Sequence, residues 1–240
     1  MSNFFSTTFR DAQLVSRDSQ ADEEVAFVEG TLGQGAYDIL DLGCGLGRHC
    51  VRLARHGHRV VGLDINEDYI KVAKAAASEA NVSVEWMVSD YRFLERRDRF
   101  DAVLSFYSTF GYHSDTENLD VLKRMASALR RGGYLFLEIL NRDFPPYGEG
   151  YIRQESLGTA TIFKKHQLRA IDSRLEMEWI HVSEQQYVET LKFEFRLYSL
   201  HEIISMLNSV KLSPVYIGSS ISNPKFNIHG KKLFITAVRF

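Results

Sequence analysis

The sequence predicts an α/β fold: a mostly parallel sheet with helices on both faces, followed late in the chain by an antiparallel β insertion. Three observations predict it. Between residues 37 and 140, short apolar runs alternate with helical patterns, as in a parallel sheet covered on both faces. The first run ends in Asp41-Leu42-Gly43-Cys44-Gly45-Leu46-Gly47, three alternating glycines that give a tight turn where backbone can lie against a bulky ligand. After Arg142 the helical pattern gives way to a period of two, most regular in Leu191, Phe193, Phe195 and Leu197 against Lys192, Glu194 and Arg196.

Taken in order, the strands fall at 37–42, 59–64, 83–88, 100–106 and 134–140. The helix over 47–56 buries Cys50, Val51, Leu53 and Ala54 and turns Arg48, Arg52 and Arg55 to a solvated face. Asn66 caps the next helix, with Glu67 and Asp68 complementing the macrodipole in its first turn. Ser114-Asp115-Thr116-Glu117 is a capping box; its helix buries Leu119, Leu122, Ala126 and Leu129 and stops at Gly132-Gly133. Asp143-Phe144-Pro145-Pro146-Tyr147 makes a rigid exit into the insertion. There Leu175, Met177 and Trp179, alternating with Glu176 and Glu178, provide a partner for the 191–197 strand, with a turn at 183–186. Ser199-x-x-Glu202 opens a last helix, and strands near 212–217 and 232–238 close the sheet. The chain divides into an N-terminal helical or lid segment (1–35), a cofactor-binding core (36–146), the insertion (147–198) and the C-terminal helix and strands (199–240). The insertion and the N-terminus, with Phe4, Phe5 and Phe9, are the natural lid elements; a homodimer surface is the alternative for the insertion.

With 240 residues and 45% hydrophobic content the chain buries one sizeable core. Its net charge of −2, with basic residues scattered, argues against nucleic acid as a partner. No membrane partner is expected, since no apolar run approaches a span and no basic start precedes an apolar core. Cys44 and Cys50 have neither disulfide nor metal-ligand spacing, so no metal is expected and a reducing cytoplasm is.

The glycine spacing selects among nucleoside cofactors. Nicotinamide dinucleotides use G-x-G-x-x-G, whereas here the third glycine comes one place early. Asp41, two residues before the first glycine, would repel a phosphate and can accept from an ammonium. S-adenosyl-L-methionine carries an ammonium and no phosphate. Asp64, about 20 residues on, stands where a carboxylate accepts from ribose hydroxyls.

The run 41–65, the Ser89-Asp90-Tyr91 step, Phe100-Asp101-Ala102-Val103 and Leu129-Arg130-Arg131-Gly132-Gly133-Tyr134 together resemble the successive motifs of class I S-adenosylmethionine-dependent methyltransferases. The resemblance implies a Rossmann-like seven-stranded sheet of order 3-2-1-4-5-7-6, with only the seventh strand antiparallel. It implies that Gly43 and Gly45 line the methionine and ribose of S-adenosyl-L-methionine, with Asp41 towards its amino end. Asp64 would take the ribose hydroxyls, Ile65 pack on adenine, Asp90 accept from the adenine amino group beside the Tyr91 backbone, and Ser105 border the methionine portion through its backbone.

Ligands of open α/β sheets bind beyond the carboxyl ends of the strands, which here places Phe106-Tyr107-Ser108-Thr109-Phe110-Gly111-Tyr112-His113 beside the reacting methyl. The Phe-Gly-Tyr step and Asn141-Arg142-Asp143 resemble a bacterial group that methylates small metabolites, implying a small-molecule substrate and an oxygen or nitrogen acceptor. In that group Phe often follows Phe-Gly-Tyr, so His113 departs from it. His113 is a candidate base, its ordinary pKa being roughly 6.5, or a helix-preceding residue bonded to backbone. Tyr107 and Tyr112 orient an acceptor or pack. Arg142 pairs with a substrate carboxylate, or with Asp143 or Glu138. The alternatives to methyl transfer are another reaction of the same cofactor, such as intramolecular ring closure, and a cofactor-binding homologue without turnover.

Overall fold

The structure, a computed structural model, describes residues 20–157, 160–182, 188–222 and 225–240. The expected lid residues Phe4, Phe5 and Phe9 and the expected turn at 183–186 lie outside the described residues.

Helix α1 (Ala21–Leu32) precedes β1 (Asp38–Leu42), α2 (Arg48–Arg55), β2 (Arg59–Asp64), α3 (Glu67–Glu79), β3 (Glu85–Val88), β4 (Phe100–Ser105), α4 (Asp115–Ala128) and β5 (Leu129–Leu140). Then come α5 (Pro145–Glu149), β6 (Tyr151–Leu157), β7 (Ala160–Arg169), β8 (Arg174–Val182), β9 (Val188–Arg196), α6 (Leu200–Ser209), β10 (Leu212–Gly218) and β11 (Lys232–Arg239). The large sheet has the order β3-β2-β1-β4-β5-β11-β10, parallel from β3 to β5, with β11 antiparallel to both of its neighbours. This is the expected seven-stranded arrangement.

Strand alternation sends one set of side chains to each face. Leu40, Leu42, Val103, Leu135 and Leu137 pack with Leu122 and Met125 of α4 and with Ile203 and Leu207 of α6. Ile39, Leu104 and Phe136 face the other way, onto Val25 and Val28 of α1 and Cys50 and Leu53 of α2. Helix α2, at eight residues, is too short to persist alone, so its burial against the sheet holds it. Both capping boxes form, at Ser114 with Glu117 and at Ser199 with Glu202. No described helix is long and apolar enough to cross a membrane.

Two expectations are corrected. Helix α4 ends at Ala128, not at the glycine pair: Leu129 is already extended (φ −70°, ψ 146°) and pairs with Phe100, so the strand begins before Gly132-Gly133. Pairing with β4 thus outranks the glycine stop signal. The arginines of α2 are not one solvated face either. The Arg48 and Arg52 side chains are only 12% and 19% exposed, drawn in by Glu24 and Asp22 of α1.

The insertion is a four-stranded antiparallel meander, β6-β7-β8-β9. Leu175 stands opposite Phe195, Met177 opposite Phe193 and Trp179 opposite Leu191, the expected pairing. This apolar face, joined by Ile162, Tyr147 and Leu197, packs with Tyr112, Leu140 and Phe144. The second sheet therefore docks on the segments leaving the carboxyl ends of β4 and β5. One suture is close: Arg196 N–H donates to Gly111 O at 2.8 Å, and a Cβ on Gly111 (φ +114°) would lie 2.6 Å from Arg196 O.

Candidate active site

The glycine turn is fastened to β2. Gly43 and Cys44 both donate to Leu63 O, at 2.7 and 3.0 Å. Asp64, at the end of β2 and 8% exposed, accepts from Gly45 N–H through Oδ2 and from Asn66 N–H through Oδ1, each at 2.8 Å. A carboxylate has about four lone-pair sites, so Asp64 can hold the turn and still accept from a ligand. Asn66 in turn caps α3, accepting from Asp68 and Tyr69 N–H. Ile65 beside it leaves a large apolar side chain 49% exposed. Gly43 (φ +74°) has the Thr109 methyl seated on it, 2.4 Å from where a Cβ would be.

Asp90 caps the short 3-10 turn at Tyr91–Phe93 and accepts from Arg92 N–H at 2.8 Å and from its guanidinium at 2.7 and 3.0 Å. Burial raises its pKa, but these Arg92 bonds prevail and hold the carboxyl below its ordinary range. The Tyr91 hydroxyl donates to Thr109 O at 3.2 Å, and its ring meets His113 edge-on at 5.5 Å. Asp64, Ile65, Asp90 and Tyr91 thus flank the turn from β2 and β3.

Asp41 points inward, towards α2. Its Oδ2 accepts from Cys50 Sγ at 3.4 Å and lies 3.6 Å from His49 Nδ1. The other ring nitrogen of His49 meets Glu24 Oε2 at 2.7 Å, and Arg48 joins Glu24 at 3.2 Å. Arg48 also donates to the Tyr107 hydroxyl at 3.2 Å and stacks on its ring at 3.9 Å, while that hydroxyl donates to Gln20 at 2.7 Å. A buried polar chain therefore runs from the glycine turn through α2 and α1 to the loop after β4. Burial lowers the His49 pKa, yet the carboxylates of Asp41 and Glu24 outweigh it and raise it overall. Burial raises Glu24 and the partners His49 and Arg48 bring it down. Burial raises Tyr107, which keeps its hydroxyl protonated. Tyr107 and Ser108 are both left-handed (φ +57° and +55°), at a cost of roughly 1–2 kcal/mol each.

The remaining candidates separate. His113 is 8% exposed, with its N–H and carbonyl both bonded to the Asn118 side chain, and burial lowers its pKa. Tyr112 packs on Phe195 of the second sheet, ring centroids 5.6 Å apart. Arg142 pairs with Asp143 at 2.9 Å and donates to Ser173 at 3.1 Å. Ser105 is fully buried, and its hydroxyl has no partner among the described residues. Glu138 pairs with Lys232 at 2.8 Å, and Lys232 stands 5.0 Å from the Tyr107 ring centre. Glu138 is 1% exposed and lacks a directed hydrogen bond. Sequence reasoning overlooked His49, Glu24 and Lys232. One signal was available for Glu138, a lone acid inside the apolar run 134–140. No group of three or more His, Cys, Asp or Glu able to hold a metal occurs among the described residues.

The donor set suits a nucleoside sulfonium: an acceptor carboxylate at the end of β2, a positive-φ glycine turn, and an exposed isoleucine next to the carboxylate. The space over Gly43 is filled by the Thr109 side chain. Residues 39–133 match the family described as "Methyltransferase domain". Over 122 residues the chain is 30% identical to a ubiquinone biosynthesis O-methyltransferase of Coxiella burnetii, covering 50% of this chain and 51% of that protein. The chain spans about half the length of the curated relatives it matches. The CcbJ methyltransferase of Streptomyces caelestis superposes with a TM-score of 0.82 at 20% identity, covering 92% of this chain and 89% of that one. The S-adenosylmethionine-bound amino pentose methyltransferase CalS10 of Micromonospora echinaspora superposes with a TM-score of 0.73 at 17% identity, over 97% and 98% of the two chains. Residues 39–133 thus match a methyltransferase domain, and the described chain shares the fold of these solved methyltransferases.

Proposed function

We propose that the protein methylates a small molecule at nitrogen or oxygen. The observation that carries this reading is the polar wall beyond β4 and β5, where the Tyr107 hydroxyl is fixed by Arg48 and Gln20 and the Glu138–Lys232 pair stands beside it. Support for an oxygen acceptor comes from the relative named for O-methylation, and support for a small-molecule acceptor from the structurally similar protein named for an amino pentose.

In this reading Gly43, Gly45, Asp64, Ile65, Asp90, Tyr91 and Ser105 hold the cofactor, and Asp41, held by Cys50 and His49, fixes the strand end that leads into the turn. Bound S-adenosyl-L-methionine supplies a methyl group on an already activated sulfonium. The work left to the chain is alignment and exclusion of water. Tyr107, protonated and held at two points, orients the acceptor. The second sheet, sutured at Gly111 and Tyr112, is the lid. An amine acceptor attacks with its own lone pair and needs no base in the chain. For a hydroxyl acceptor, His113, kept neutral by burial, is the group suited to take the proton.

Incubation with S-adenosylmethionine and a panel of small amines and phenols tests this. Acceptor-dependent S-adenosylhomocysteine is expected. Methylthioadenosine instead would establish ring closure, and cofactor binding without turnover across the panel a non-catalytic homologue.

A further inference from the structure

Alternation along β6 and β7 places Tyr151, Arg153, Glu155, Lys164 and His166 on one face, since Tyr151 stands opposite His166 and Arg153 opposite Lys164. The rings of Tyr151 and His166 stack at 4.6 Å, and Lys164 lies over Trp179 at 4.6 Å, so this is the face that packs inward. Its charges do not balance. Glu155 serves two cations, Lys164 at 2.5 Å and Arg153 at 3.0 Å. Facing them, next to the start of β11, is Lys231, whose ammonium makes no ion pair at bonding distance among the described residues. The charges acting most strongly on it are the cations Arg153, Lys164 and Lys232 and the acid Glu155. Burial first, and these cations next, bring Lys231 down to about 8. Lys232 is already engaged with Glu138. Arg153, Lys164, Lys231 and Lys232 thus exceed Glu155 and Glu138 by two positive charges, with Lys164 buried and Arg153 half-exposed.

A second, independent observation lies on the same wall. The Tyr147 hydroxyl is fully buried and His166 Nδ1 belongs to a ring 3% exposed, and neither has a hydrogen-bond partner among the described residues. The two rings are 6.2 Å apart. Buried polar groups left unpaired beside surplus cations are costly unless a ligand completes them. An arginine fork with lysine ammoniums is the donor set that suits a carboxylate or a phosphate.

We propose that the inward face of β6–β7 beside the start of β11 is an anion subsite, formed by Arg153, Lys164, Lys231 and Lys232, for a carboxylate or phosphate carried by the methyl acceptor. It rests on the small-molecule reading above and narrows it to acidic acceptors. Lys232, shared with the Tyr107 wall, joins the subsite to the reacting end.

Calorimetry at constant ionic strength, with inorganic phosphate in one arm and acetate in the other, tests the subsite without an acceptor. The wild type binds at least one anion saturably, and the tighter of the two identifies the group. Lys231→Met removes the unpaired charge without stranding a carboxylate, so it keeps the wild-type Tm or raises it and weakens the anion about tenfold or more. Arg153→Gln, at a half-exposed position, weakens it in smaller measure. Lys192→Met, on the outward face, leaves it unchanged. Absence of binding to the wild type, wild-type affinity in Lys231→Met, or equal weakening by Lys192→Met overturns the proposal. S-adenosylhomocysteine is titrated into the same samples. If it binds and the anions do not, only the subsite is wrong; if it does not bind, the cofactor reading fails independently.

Discussion

Replacing His49 with leucine removes the bridge between two buried carboxylates. Asp41, 2% exposed, would keep the Cys50 thiol among the described residues, while Glu24, 4% exposed, would keep Arg48 at 3.2 Å. Breaking a buried charged pair costs about 3–5 kcal/mol, and because Glu24 retains a partner the lower end, about 3 kcal/mol, is expected. For a chain of this size that is a Tm loss of roughly 6–12 °C. The pH dependence gives a second check. The His49 pKa is raised on folding, so its contribution is complete below its unfolded value of roughly 6.5 and is lost as pH rises through the folded value. Glu24 is lowered, so its contribution is complete above roughly 4.5 and is lost as pH falls through the folded value. The deficit of His49→Leu should therefore be largest between about pH 4.5 and 6.5 and shrink as pH rises. Thermal unfolding followed by circular dichroism across that range measures it. A Tm within about 2 °C of wild type near pH 6, or a deficit that grows with pH, would refute the bridge.

Two further substitutions probe the parts around the acceptor. Gly111→Ala forces a Cβ against Arg196 O at a backbone angle that alanine resists, and should cost roughly 1–3 kcal/mol. It should also loosen protection of the 107–112 amides in hydrogen exchange, and unchanged protection would remove the suture from the account of the lid. Lys232→Met strands Glu138 and should destabilise by roughly 2–4 kcal/mol, discounted because the lysine is one-third exposed. Adding Glu138→Gln should recover most of this loss in a double-mutant cycle; additive losses would mean that the two do not interact.

The sheet and the turn were legible because they are local. Strand runs, glycine spacing and the two capping boxes are each decided within a few residues, and the structure forms them there. What failed to show was the side-chain chain through His49. In sequence His49 sits beside Cys50 on a helix read as apolar on one face and arginine-rich on the other, and its partner Glu24 lies in a separate helix. Arg48 was misread for the same reason, because the element covering it is remote in the chain. The glycine pair after α4 misled in the opposite direction, a strong local signal overridden by pairing of Leu129 with Phe100. The surplus charge around Lys231 likewise exists only once β6, β7 and β11 are brought together.

The central claim is that Asp64 and the turn it holds bind a nucleoside sulfonium. Isothermal calorimetry of S-adenosylhomocysteine with wild type and Asp64→Ala, each checked for an intact fold, tests it most directly. Binding to wild type is expected. Hydrogen bonds to a charged group contribute about 1.5–3 kcal/mol, so Asp64→Ala should weaken binding roughly tenfold to a hundredfold. No binding to wild type, or equal affinity in a folded Asp64→Ala protein, would contradict it.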